Sequence, residues 1–381
     1  MRTEAEIIEL IRNCLPSPQG DKAWLRLGPG DDAALVRGGA SRGKGGKLKP
    51  SDWVLSCDQF LEGVHFLARI HPPEVIGYKA LARATSDLAA MGAVPRFFML
   101  SLALPPRRTA KWLVAFLKGM ARAAREFKMV LIGGDTSAFS SVLVNLTVGG
   151  QTIAGSARNR TTDPGTVLTR GGARPGDLIY VSGVLGAAQL GLELVLHGLI
   201  RKTRGGLAPR DPRLKPFLEA HMEPKIQIAL GRWLAGENPW RLQIASAAID
   251  TSDGLSTDLG HVCEASGVGA RIWAKELPTV RIPDRLEHAG FDPLKLALHG
   301  GEDYQLIFTV PARTARHLPK SFRSVQITRI GEIVPLGRRS NEKVGMYKDK
   351  STRGNQIELI DAVEGSSRLQ PHGWDPFRTG R

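Results

Sequence analysis

The sequence predicts an α+β fold in two domains, on three observations. The chain has 381 residues, more than one hydrophobic core usually organises. Strand-like runs, among them WVLSCD from Trp53, RFFMLSLALP from Arg96 and SVLVNLTVGGQT from Ser141, mix with long helical patterns in each half. The passage AGSARNRTTDPG, from Ala154, is polar and loop-like. Domains at 1–155 and 156–350 follow, with a tail at 351–381.

The opening segment MRTEAEIIELIRNCL sets Ile7, Ile8, Ile11 and Leu15 at helical spacing with acids between them, unlike a secretory signal. No apolar run approaches the roughly 20 residues that span a bilayer. Cys14, Cys57 and Cys263 form neither a CxxC pair nor an even disulfide set. A cytoplasmic protein with reduced thiols and no membrane partner is expected.

The formal net charge of +15 raises the question of nucleic acid. Yet RGGASRGKGGKLKPSD, from Arg37, and RKTRGGLAPRDPRLK, from Arg201, hold eleven Lys and Arg against Asp52 and Asp211, so nine of the excess charges fall in two Gly/Pro-rich stretches. These read as exposed, flexible loop insertions at 37–53 and 201–215. No aromatic residue interleaves with the charges as a stacking platform would need, so nucleic-acid binding is disfavoured.

PPEVIGYKALARATSDLAAMGAVP reads as a helix, with prolines where a first turn tolerates them and Gly92 before Pro95 at its end. Ala80, Ala84, Asp87 and Met91 share one stripe. Asp87 therefore points inward, where a carboxylate needs a hydrogen bond or a cation. Small alanines leave room for a cation; Arg83, one turn earlier, is the alternative partner.

Five windows gather acids: GPGDDAALV from Gly28, VLSCDQFLEGVHF from Val54, MVLIGGDTS from Met129, ASAAIDTSDGLSTDLG from Ala245 and ALHGGEDYQLIFT from Ala297. They contain ten carboxylates and no Lys or Arg. The acids follow strand-like runs, so they are expected on short turns capping strands. A lone Asp in such a turn is ordinarily just a cap. Five together repel one another unless something positive neutralises them. All-oxygen ligands select a hard cation such as magnesium, calcium or manganese. Phosphoryl transfer, whose catalysis is positioning and charge neutralisation, is the chemistry such a cluster suits. In GGDT the two glycines let backbone amides approach phosphate oxygens, and Asp135 can hold a bridging metal. Neither a GxxxxGK[ST] loop nor the protein-kinase motif set is present.

The ordered series GPGDDAAL, SCDQFLEGVHF, YKALARATSDLAAMGA, LIGGDT, LTRGGARPGD, AIDTSDGLSTDL and GGEDYQLIFT, with HGWDPF near the end, resembles the thiamine-monophosphate kinases of the aminoimidazole ribonucleotide synthetase superfamily. The resemblance implies an N-terminal mixed sheet with helices that pairs across a homodimer, and a C-terminal α/β sandwich domain. It implies transfer of the γ-phosphoryl of ATP directly onto thiamine monophosphate, with several Mg2+ ions. Carried over, Asp32, Ser56, Cys57, Asp58, Asp87, Asp135, Asp250 and Asp253 are metal ligands. Gly134, Asp135, Arg170 and Ser252 hold ATP, and His65, Glu302 and Trp374 contact the thiamine substrate, the last from the C-terminal tail. No dedicated general base is implied, because the attacking phosphate oxygen is already ionised near neutral pH. Cys57 and Gln59 depart from the threonines usual beside Asp58: if position 57 binds metal through its backbone carbonyl the thiol is harmless, and if the side chain is the ligand a soft sulfur binds magnesium poorly. Another ATP-dependent synthetase of the superfamily is the alternative, and a basic RNA-binding protein the alternative of a different class.

Overall fold

The computed structural model describes residues 4–15, 24–38, 40–42, 48–153, 166–203, 206–336, 357–361 and 365–373. In the first half, α1 (Glu4–Cys14) precedes β1 (Leu25–Leu27) and β2 (Ala34–Val36). There follow the hairpin β3 (Ala40–Arg42) and β4 (Leu48–Pro50), then β5 (Trp53–Leu61), α2 (Pro73–Ala90), β6 (Val94–Leu104), α3 (Lys111–Phe127), β7 (Val130–Ala138) and β8 (Leu143–Gln151). Six of these strands form a mixed sheet in the order β1-β2-β5-β8-β6-β7. Only β6 and β7 run parallel in it; α3 supplies their crossover.

Helix α2 begins as its sequence dictates, with Pro73 in the first turn, and stops after Met91, where Gly92 turns left-handed at φ 67°. Its Leu81 and Leu88 are fully buried in a core with Phe98, Val144 and Leu146 of the sheet. Each such leucine contributes roughly 2 kcal/mol. Against its other side lies α3, at backbone contact. A Cβ on Gly77 would meet the Phe116 carbonyl oxygen at 1.9 Å, and one on Gly119 the Glu74 carbonyl oxygen at 1.8 Å.

The second half holds β9 (Leu178–Ser182), α4 (Ala187–Leu196), β10 (Ile200–Thr203), β11 (Gly206–Pro209), α5 (Lys215–Met222), α6 (Ile228–Ala235), β12 (Ala247–Asp250) and α7 (Leu255–Ser266). Then come β13 (Gly269–Trp273), α8 (Asp284–His288), α9 (Pro293–His299), β14 (Leu306–Val310), α10 (Ala312–Ala315), β15 (Ser321–Phe322), β16 (Val325–Val334), β17 (Ile357–Asp361) and β18 (Gly365–Leu369). Its eight-stranded sheet runs β12-β14-β9-β16-β13-β17-β18, with β15 on β16. β12 and β14, buried along their whole length, read as continuous apolar runs for that reason.

Three expectations need correction. The basic stretches are not plain loops: β3 pairs with β4 and β10 with β11 as antiparallel hairpins. Ile200 and Leu207 give the second hairpin an apolar side that packs beside Val195 and Leu218, which charge counting overlooks. The tail is not separate either, since β17 and β18 complete the second sheet. Finally, Asp58 and Asp135 lie inside β5 and β7 rather than on turns after strands; only Asp250 ends its strand. Of the boundary expected near residues 150–165, residues 154–165 fall outside the described residues.

Candidate active site

Asp32 sits in the turn leading into β2, Asp87 in the last turn of α2 and Asp250 at the end of β12. Folding brings these distant carboxylates together, and one oxygen from each lies within 4.8 Å of the others. Burial pushes the Asp87 carboxyl well above the usual range, reinforced by Asp250, Asp32 and Asp58. Asp250 is raised by burial against a hydrogen bond from Ser86, whose hydroxyl donates at 2.6 Å. Asp32 is pushed up to about 7, by burial first, although Arg170 opposes the shift.

The expectation that no basic side chain serves the acids of the five windows is wrong for four of them, Asp32, Asp58, Glu62 and Glu302. Arg170 donates from Nε to Asp32 at 2.8 Å, and Arg83 reaches both oxygens of Asp58 at 2.7 and 3.1 Å. Both arginines come from outside the acidic windows, so adjacency in sequence hid them. Arg83 serves Asp58 on the neighbouring strand rather than Asp87 on its own helix. Asp87 accepts from the Ser56 hydroxyl instead. The second oxygen of Asp32 is buried with no hydrogen-bond partner among the described residues. A buried carboxylate oxygen in that state, facing two more acids, fits a hard divalent cation.

Asp87 and Asp250 of the trio line a cavity of about 120 Å³, together with Cys57, Asp58, Arg83, Ser252 and Tyr304. Strand alternation separates Cys57 from its neighbours, because side chains at 56 and 58 share one face of β5 and 57 takes the other. The thiol is engaged there, donating to the Asn145 side-chain oxygen at 3.3 Å. Of this residue, therefore, the backbone carbonyl is the group suited to the cavity side. A second cavity, about 200 Å³, lies beside the β10/β11 hairpin against Arg69, Ile70 and Val195; it has no acid in its lining.

The DTSDG and GGEDY segments are stitched into one wall. The amide of Glu302 donates to the Ser252 carbonyl at 2.8 Å and that of Tyr304 to the Thr251 carbonyl at 2.9 Å. A Cβ on Gly301 would meet the Ser252 carbonyl oxygen at 2.6 Å, which explains the glycine there. Glu302 and Tyr304 both have left-handed backbones, φ 66° and 47°. That conformation costs about 1 kcal/mol or more at each non-glycine residue and is held by its surroundings. Asp303 does the holding: its carboxylate accepts from the amides of Gly186 and Ala188 at the start of α4, at 2.5 and 2.8 Å. Asp258 does the same for the other segment, accepting from the amides of Asp253 and Gly254 at 3.1 and 2.9 Å. Asp253 is pushed up to about 7 by burial, then by Glu4 and Asp250.

His65 is half-buried, and its Nδ1 accepts from the Leu61 amide at 3.0 Å, so Nε2 carries the hydrogen. Burial, then Arg83, lowers its pKa to about 4, leaving the ring neutral. Glu302 pairs with Lys79 at 2.8 Å. Gly134 and Asp135 are not in the cluster. They are exposed on β7, the edge strand of the first sheet. Trp374 lies outside the described residues; Gly373 before it donates its amide to Thr257 Oγ1 at 3.1 Å, beside the DTSDG segment. Sequence reasoning missed Lys79, His221, Asp258 and Asp303. One signal was available: Lys79, Arg83 and Asp87 are spaced by four and so share a helix face.

Comparisons with known proteins agree with this architecture. Residues 30–154 match the model of the AIR synthase related protein N-terminal domain, and 174–340 that of the corresponding C-terminal domain. The thiamine-monophosphate kinase of Salmonella typhimurium is 37% identical over 302 residues, covering 79% of this chain and 82% of the relative. A solved structure described as AaThiL complexed with AMPPCP and TMP superposes with a TM-score of 0.75 at 27% identity, covering 99% of both chains. That of the thiamine-monophosphate kinase from Stenotrophomonas maltophilia K279a gives 0.64 at 31% identity, covering 93% of this chain and 94% of the other. With its two matched domains, its shared fold and its acids converging where two sheets meet, the chain belongs to the thiamine-monophosphate kinase family of AIR synthase related proteins.

Proposed function

We propose that this protein transfers the γ-phosphoryl of ATP directly onto thiamine monophosphate. The observation that carries the reading is the Asp32, Asp87 and Asp250 cluster, with one oxygen of Asp32 buried and unpartnered. Those three carboxylates would hold magnesium, joined by Asp58, Asp253, Ser56 and the carbonyl of Cys57. When bound, the metal neutralises charge on the phosphates and keeps two polyanions together.

The chain's own groups supply the rest. Arg170 carries a fixed cation at the cluster, where it would meet a nucleotide phosphate. Ser252 lies at the cavity wall for the same ligand. Glu302 is the anion that receives the amino-bearing ring of thiamine, and neutral His65 and Trp374 complete that end. The attacking phosphate oxygen is already ionised, so no side chain need remove a proton.

A homodimer belongs to the same reading. Val130, Leu131 and Ile132 are exposed on edge strand β7, a surface that invites pairing with a second copy. Gly134 and Asp135 on that strand would then reach nucleotide across the interface.

The test is to incubate the protein with Mg-ATP and thiamine monophosphate and follow the phosphorus NMR signals. Thiamine diphosphate and ADP should appear in equal amounts, and chelation should stop both. ATP turnover on a purine precursor but not on thiamine monophosphate would instead favour a synthetase of the superfamily.

A further inference from the structure

Behind Glu302 lies a set of buried groups that phosphoryl transfer does not use. Lys79 of α2 is almost fully buried, with 1% of its side chain exposed, and its ammonium meets Glu302 Oε2 at 2.8 Å. His221 of α5 places Nδ1 3.4 Å from the same oxygen and 3.4 Å from the Lys79 ammonium. Its Nε2 faces His71 Nε2 at 3.0 Å, and the Leu67 amide donates to His71 Nδ1 at 3.1 Å. The carboxylate beside His221 Nδ1 favours a hydrogen there. His221 Nε2 then accepts from His71 Nε2–H, and His71 Nδ1 is left to accept from Leu67, as the geometry provides. Every hydrogen bond in that chain points toward Glu302. Burial lowers both histidine pKa values, that of His71 to about 4, consistent with two neutral rings.

We propose that Lys79, backed by His221 and His71, is a positioning residue that clamps Glu302 Oε2 and leaves Oε1 to accept from the substrate's amino-bearing ring. Both clamping contacts fall on Oε2, and Oε1 accepts from no group among the described residues. The Glu302 side chain remains 24% exposed, which leaves a ligand access to it. The left-handed backbone at Glu302 sets where the side chain starts, and the ammonium sets where it ends. A carboxylate fixed at both ends loses little freedom on binding, which is how a site turns one hydrogen bond into discrimination. Lys79 comes from α2 and Glu302 from the segment before β14, so the clamp also ties the first sheet's helix to the second sheet.

The assignment rests on the proposed activity, and a double-mutant cycle tests it apart from that activity. In the unaltered protein, thiamine monophosphate should be phosphorylated, and oxythiamine monophosphate, with a carbonyl in place of the exocyclic amine, should be a poorer substrate. Absence of transfer would overturn the proposed activity and this assignment with it. Given transfer, Lys79→Met should raise KM for thiamine monophosphate about 10- to 100-fold with KM for ATP within about twofold, the range for loss of a charged hydrogen bond. Glu302→Gln should do the same, and the double variant, which removes both charges of the pair, should be no worse than Glu302→Gln alone. Preference over oxythiamine monophosphate should vanish in all three. Should Lys79→Met fail to fold, the double variant and His221→Phe carry the test, the latter through a rise of about tenfold in the same KM. Multiplying effects in the double variant, or an unmoved KM and an intact preference in folded Lys79→Met, overturn the assignment while leaving the kinase activity standing. If Lys79→Met fails to fold, an intact preference in the double variant or an unmoved KM in His221→Phe does so.

Discussion

Asp87 and Asp250 have hydroxyl partners, not cations, in the described structure. Their proximity is therefore a cost that a bound ion would offset. Asp87→Asn should lower turnover by at least about 100-fold while leaving the melting temperature equal or higher, because it relieves like-charge repulsion. Parallel kinetics and calorimetry check this; a fall in both would make Asp87 structural. The pH dependence has a definite sign. Asp32 and Asp253, raised by burial to about 7, keep protons that the unfolded chain loses near its ordinary value of 3.8. Without divalent ions, stability should therefore fall as pH rises through that window. Magnesium should raise the melting temperature more at about pH 8 than at about pH 5, and equal rises would contradict the cluster's role. Asp32, Asp250 and Asp253 were legible in sequence because each lay in a window free of basic residues, and Asp87 because it fell on the alanine stripe of its helix. Their partners were not: Lys79 and Glu302 are 223 residues apart, and no local pattern joins them.

At the scale of elements, α2 organises the site. It carries Lys79, Arg83, Ser86 and Asp87, and it packs on both β5 and β12. Prolines, glycine and the alanine stripe announced this helix. Its contact with α3 was hidden, because a glycine inside a helix signals weakness until the partner's backbone is seen. Gly77→Ala should cost about 2 kcal/mol of stability, since the new Cβ would meet the Phe116 carbonyl oxygen at 1.9 Å. Chemical denaturation measures it, and a loss below about 0.5 kcal/mol would mean the two helices separate easily. The hairpins show the opposite limit. Charge and glycine content suggested loops at both, whereas Ile200 and Leu207 each have apolar neighbours that favour an ordered pair.

For the whole molecule, two sheets meet at an acidic centre within a chain whose net charge is +15. The α+β class was readable from the alternation of strand and helix patterns, whereas the mixed first sheet was implied by the family resemblance. Strand order was not, because pairing such as β5 with β8 joins segments far apart in sequence. The exposed apolar face of β7 gives a prediction at this scale. The protein should sediment as a dimer, and Ile132→Glu should yield a monomer with weakened ATP affinity; a wild-type monomer would remove Asp135 from the proposed nucleotide site. The central claim is that Asp32, Asp87 and Asp250 grip divalent ions that join ATP to a second phosphate. Anomalous diffraction from crystals grown with Mn2+, a non-hydrolysable ATP analogue and thiamine monophosphate tests it most directly. Manganese peaks are expected within coordination distance of those three carboxylates and of nucleotide oxygens, whereas carboxylates without metal, beside a bound nucleotide, would rule out that role.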